Sequence, residues 1–229
     1  MTTVDEKRFR ALEELIKKEI PGFKIDYKDT TKDWKIRAVA KIVGFFNKTF
    51  MTGFTTTLYP AIYFVSKKKL QKDYGRYFYT LCHEFVHLWD RRTKGFWFTL
   101  SYLSPQILVL LSLFSLFSFF SLWFLLFLLF LPCAAPVRSL FRTKWEMRGY
   151  TMNMVVRVWD EVPITETYMN QIVENFTGMN YYRMCPDGDY VRYKLLEAQG
   201  LANTTFFLEG EDSYPYRRVK TIMEEIPRS

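Results

Sequence analysis

Apolar positions recur every three or four residues along VDEKRFRALEELIKKE, with Phe9, Leu12, Leu15 and Ile16 on one stripe. That spacing predicts an amphipathic helix over 4–19, stopped by Pro21-Gly22. A second helix is expected over 33–47, capped by Thr31 or Asp33. The stretch 54–65 (FTTTLYPAIYFV) is β-branched and aromatic, which favours extended structure. Pro60 reduces it to an edge strand or a broken pair. Lys67 opens a long helical pattern over roughly 67–93. Helical patterns return at 143–160, 164–176, 189–199 and 214–226, separated by Pro, Gly and Asn. No internal repeat is present.

Between these polar-faced segments the pattern changes. From Gly95 to Val137 no residue is charged, and Gln106 to Leu131 is almost wholly Leu, Phe and Ser between Pro105 and Pro132. Such a run is too long and too apolar for a buried helix and predicts membrane insertion. One helix over 106–131 would be about 39 Å long, a tilted single span. Alternatively, the run divides into two legs of about 18–20 residues. Arg91, Arg92 and Lys94 precede it, and Arg138, Arg142 and Lys144 follow it. Positive flanks at both ends favour an even number of crossings, a hairpin or re-entrant dip turning near Ser115–Ser121, with both ends cytoplasmic. Three segments follow: 1–94 with the N-terminal helices, 95–137 in the membrane, and 138–229 with the C-terminal helices.

Composition narrows this picture further. Lys+Arg 32 against Asp+Glu 24 gives a net charge of +8. The excess is spread along the chain with no basic block interleaved with aromatics, so it fits an anionic membrane surface better than nucleic acid, and a plain solvated basic surface equally well. Cys82, Cys133 and Cys185 are odd in number and form no CxxC, which argues against a disulfide framework or a cysteine zinc site. The N-terminal residues lack the apolar run of a signal peptide.

The chain's two histidines both fall in His83-Glu84-Phe85-Val86-His87. Four residues apart on a helix, His83 and His87 can present two imidazoles to one metal, with Glu84 beside them as general base toward a water activated there. A catalytic zinc takes three protein ligands and leaves one position open. With no third histidine, the third ligand must be a carboxylate or thiolate: Glu146, Asp160, Glu161, Glu166 or Cys185. Glu146 leads, because a membrane hairpin would return it to the helix entry point. Asp90 shares the face of His83 and His87. It is placed either to accept an imidazole N–H or to pair with Arg91, Arg92 or a nearby lysine. Cys82 reads as a small core residue.

HExxH, a membrane stretch and then Glu146-Met147-Arg148-Gly149-Tyr150 on a helix resembles the membrane gluzincins of the HtpX and CAAX prenyl protease type. In that family the third ligand is the first Glu of an E-x-x-A/x-D motif. The resemblance covers about 30 residues. It implies a mainly α, α+β zincin-like core with a short edge strand or small sheet before the HExxH helix, and the membrane hairpin inserted between the ligand helices. It implies His83, His87 and Glu146 as zinc ligands, Glu84 as base, and a membrane-bound endopeptidase acting on protein or peptide substrates. The chain departs from the motif at Tyr150, where the family's acidic residue would stand. Tyr150 could bond a ligand, stabilise a tetrahedral oxyanion or simply pack. Two other readings remain: a site-2-type intramembrane protease, with Pro186-Asp187-Gly188 as its downstream motif, and a non-catalytic membrane protein with a structural or vestigial zinc site.

Overall fold

A computed structural model describes residues 3–46, 50–179 and 183–228. In chain order the elements are α1 (Val4–Glu19), β1 (Lys24–Tyr27), α2 (Trp34–Phe46), the single turn α3 (Phe50–Gly53), β2 (Thr56–Leu58) and β3 (Ala61–Phe64). Next come α4 (Lys67–Lys72), α5 (Tyr74–Lys94), α6 (Phe96–Leu103), and 3-10 helices over Gln106–Phe119 and Leu122–Ala134. Then follow α7 (Leu140–Trp159), α8 (Glu166–Thr177), α9 (Gly188–Leu201), short 3-10 turns at Phe206–Leu208 and Glu211–Ser213, and α10 (Tyr214–Glu225). The protein is therefore mostly helical with one small mixed sheet. Position 47 of the expected second helix lies outside the described residues.

The chain forms two compact units. The first holds residues 1–93, 149–163 and 198–229, and the second holds 94–148 and 164–197. α7 is one unbroken helix whose residues through Arg148 count with the second unit and the rest with the first.

In the first unit, β3 is the central strand, parallel to β1 and antiparallel to β2. All four β3 residues are buried because both faces of the strand are covered. Ala61 and Tyr63 point to Ile36 of α2. Phe64 packs its ring against Phe9 of α1 (6.1 Å between centroids) and Tyr77 of α5 (5.1 Å). The two-residue period thus sorts side chains between two helix layers. The extended stretch 54–65 is a broken pair at Pro60, as expected, but only its first half, β2, is an edge strand. β1 escaped the sequence reading: KIDY is too short and too polar to stand out from a turn.

Local chemistry sets the helix ends. Thr3 Oγ1 accepts from Glu6 N (3.2 Å) at the start of α1, and Asp33 Oδ1 accepts from Lys35 N (3.0 Å) at the start of α2. The helix expected over 67–93 is instead two. Asp73 leaves helical geometry (φ −147, ψ 68) and its carboxylate accepts from Arg76 N (2.9 Å), restarting the chain as α5.

In the second unit, the uncharged run folds back on itself, and the single continuous helix over 106–131 does not form. The legs break at Phe120–Ser121, inside the expected turn region, and are wound as 3-10 rather than α-helix. At three residues per turn, positions three apart stack on one face. This aligns Phe114 and Phe117 on one leg with Phe124 and Phe127 on the other, at 5.2 Å (Phe114–Phe127) and 5.9 Å (Phe117–Phe124). The same period aligns Ser112, Ser115 and Ser118, and Ser112 is the leg's one buried residue. Leu116, Phe119, Leu122, Trp123 and Leu129 are each more than two-thirds exposed. Among the described residues no single helix is long and apolar enough to cross a membrane. α6 and the first leg, bent by 85° at their junction, pass that test only as a pair.

Candidate metal centre

α5 carries the motif. Its helical spacing puts the imidazoles of His83 and His87 one turn apart, with their Nε2 atoms 3.0 Å from one another. Two nitrogen lone pairs at that distance repel unless a proton or a cation lies between them. The carboxylate of Glu146, on α7, completes a group whose ligand atoms all lie within 4.8 Å of one another. His83 is 9 % exposed, His87 7 % and Glu146 4 %, so the donors are withdrawn from bulk water. Two imidazole nitrogens and one carboxylate oxygen form a donor set that suits zinc and leaves a position open.

Two residues of α7 shape the bed on which His83 lies. A Cβ on Gly149 would fall 2.6 Å from both Cε1 and Nε2 of His83 and 2.8 Å from Nδ1. Only a residue without a side chain lets the helix backbone meet the ring this closely. One position on, Tyr150 stands edge-on to the same imidazole, centroids 4.8 Å apart at 77°. Of the roles considered for Tyr150, the ring contact displays packing against His83.

Glu146 is held by a residue that sequence reasoning missed. Tyr102, at the end of α6, donates its hydroxyl to Glu146 Oε1. Its carbonyl accepts from Arg142 Nε (3.0 Å), and its ring lies under the Arg142 guanidinium. Trp145 Nε1 donates to Ser101 Oγ (3.0 Å), and Phe98 packs on the Trp145 indole. Arg142, counted from sequence as a flanking cytoplasmic charge, is thus largely buried as a structural clamp. The signal available in the sequence was slight: a tyrosine inside an otherwise apolar run.

Glu84 is half-buried and accepts a hydrogen bond from Thr57 Oγ1 of β2 (2.7 Å). The buried Lys28 ammonium also acts on Glu84 electrostatically. It donates to the carbonyls of Phe50 (2.7 Å) and Phe54 (2.8 Å), and burial lowers its pKa to about 8. Asp90 is fully buried. Arg92 pairs with Glu19 at 2.9 Å, and Arg91 lies over the Tyr59 ring.

The other candidate third ligands serve the fold. Asp160 pairs with Arg8 (2.6 Å) and Arg228 (3.1 Å) and accepts from the Tyr79 hydroxyl (2.6 Å). Glu166 pairs with Arg192 at the surface. Glu161 sits exposed at a turn with φ 55. Cys185 is buried, its backbone N–H bonded to the Phe176 carbonyl, and Asp187 Oδ1 accepts from Tyr190 N (2.9 Å) at the start of α9. Cys82 is buried, which pushes its thiol pKa well up, as befits a core residue.

Comparison with protein-family models, with curated proteins and with solved structures yields no match for this chain.

Proposed function

We propose that the protein is a membrane-bound, zinc-dependent endopeptidase of gluzincin type. The observation that carries this reading is the buried His83, His87 and Glu146 group, with Glu84 next to it in sequence and anchored to a strand. Zinc held by those three side chains would lower the pKa of a bound water and polarise a substrate carbonyl. Glu84 takes the proton of the attacking water and returns it to the departing amine. Thr57, by donating to one oxygen of Glu84, fixes the orientation of the carboxylate. Among the described residues β2 pairs with β3 alone, so its other edge can accept an extended peptide by main-chain pairing beside the base. Tyr150 and Asp90 act as positioning residues rather than as proton donors.

Support for the membrane comes from the inverted burial of the hairpin, which hides a serine and exposes leucine, phenylalanine and tryptophan. In 3-10 geometry, rising about 2.0 Å per residue, the legs are about 28 and 26 Å long, close to the hydrocarbon thickness of about 30 Å. A re-entrant or spanning hairpin with the catalytic residues on the cytoplasmic side follows from the basic flanks. Carbonate washing should leave the protein in the membrane pellet, and recovery in the soluble fraction refutes the membrane assignment.

The decisive test of catalysis is Glu84→Gln in detergent-solubilised protein. Peptide cleavage should vanish while zinc stoichiometry stays near one. Retained cleavage removes Glu84 from its role. A wild type that binds zinc but cleaves nothing points to a structural site instead.

A further inference from the structure

His83 meets a second polar residue of α7 besides its neighbours at the metal position. Asn153 lies seven residues after Glu146 and four after Gly149, on one face of the helix. Its amide Nδ2 is 3.4 Å from His83 Nδ1. Its Oδ1 is buried and has no hydrogen-bond partner. The two ends of a carboxamide have nearly the same shape, and the hydrogen-bond network decides which end faces a neighbour. His83 turns Nε2 toward His87. An imidazole that ligates through Nε2 carries its proton on Nδ1 and needs an acceptor there. A half-turn of the Asn153 amide supplies that acceptor and ends the isolation of Oδ1.

We propose that Asn153 is the positioning residue for His83: its side-chain oxygen accepts the Nδ1 proton and locks the ring in the tautomer that leaves Nε2 free for a metal. This rests on the metal-site reading above. Resemblance to the gluzincins would put an acidic residue at position 150, and Tyr150 cannot act as a carboxylate. Asn153, one turn further along, does the orienting with a neutral oxygen. Gly149 makes this geometry possible, because the ring must lie flat on the helix backbone to reach position 153. A neutral acceptor makes the imidazole a weaker base than a carboxylate partner would. The site is therefore tuned to hold its metal less tightly than it could.

The chain has two histidines, so ring-15N-labelled protein gives two imidazole patterns, and Gly200→Ala in α9 serves as a folded reference. In detergent at pH 8, His83 should be protonated on Nδ1 both without and with added zinc chloride. Asn153→Leu should mix the tautomers of His83 in the metal-free protein and weaken zinc binding about 10–100-fold, measured by competition with a chromophoric chelator. Asn153→Asp should restore the Nδ1–H form and bind zinc at least as tightly as the wild type. This rescue separates positioning from mere packing should the leucine variant lose melting temperature. A wild-type His83 protonated on Nε2 with its Nδ1 bare overturns the proposal, as does wild-type zinc affinity in folded Asn153→Leu. If the wild type binds no zinc, the metal reading fails, while the tautomer of the metal-free protein still decides the role of Asn153.

Discussion

Gly149→Ala tests the centre with the smallest possible perturbation. The added methyl would stand 2.6 Å from two ring atoms of His83 and 2.8 Å from a third. Ordinary carbon contacts fall at about 3.5–4.0 Å, so the ring or the helix must yield by about 1 Å. Overpacking of this kind costs about 1–3 kcal/mol, while alanine in place of glycine inside a helix returns up to about 1 kcal/mol. Net stability should fall by no more than about 2 kcal/mol, and the protein should remain folded. Zinc ligands tolerate displacements of only about 0.2 Å, so a ring moved by about 1 Å ceases to be a proper ligand. Zinc affinity should drop by at least about 100-fold, beyond what loss of an outer partner produces. Gly200→Ala in α9 is the control, since a Cβ there meets nothing within 4 Å. It should leave zinc binding alone and raise the melting temperature slightly. The assay pairs chelator competition with a thermal melt on each variant. Wild-type zinc affinity in Gly149→Ala would refute the claim that this helix backbone sets the position of His83.

Tyr102→Phe removes the hydroxyl that holds Glu146 while keeping the ring beneath Arg142. Zinc affinity should fall about 10–100-fold with little change in melting temperature, and unchanged affinity would detach α6 from the centre. A pH effect follows from Lys28. Its pKa drops from 10.5 to about 8, chiefly by burial and against the opposing pull of Glu84. Below pH 8 the folded protein bears the full cost of a buried ammonium. Between about pH 8 and 10.5 it releases that proton before the unfolded chain does, so stability should rise with pH by up to about 3 kcal/mol. Tyr63 and Tyr79 oppose this above pH 10, because burial and their Asp33 and Asp160 partners raise their pKa values and favour the protonated folded state. Melts from pH 7 to 10 should show the rise in the wild type and a flatter profile in Lys28→Met; equal slopes would contradict the assignment.

Much of the centre was legible along the chain because its logic is local. Asp33 caps a helix by a contact two residues away, and His83 and His87 share a face because a helix repeats every 3.6 residues. The excess of Leu and Phe between Pro105 and Pro132 likewise set the hairpin apart without any coordinates. Its winding was not legible. The three-residue spacing of Ser and Phe becomes a packed ladder only when the legs fold back and stack ring on ring.

What tertiary structure alone decided is which distant groups meet. Thr57 reaches Glu84 because β2 pairs with a strand that α1 and α5 cover. Tyr102 reaches Glu146 because Trp145 and Arg142 dock α7 on α6. Gly149 and Asn153 matter only because an imidazole lies across them, and nothing in their local spacing announces that neighbour. The local sequence determined the placement of His83, Glu84 and His87, since a single helical turn suffices to align them. The supporting groups come from segments that are far apart along the chain, and only folding brings them within hydrogen-bond reach.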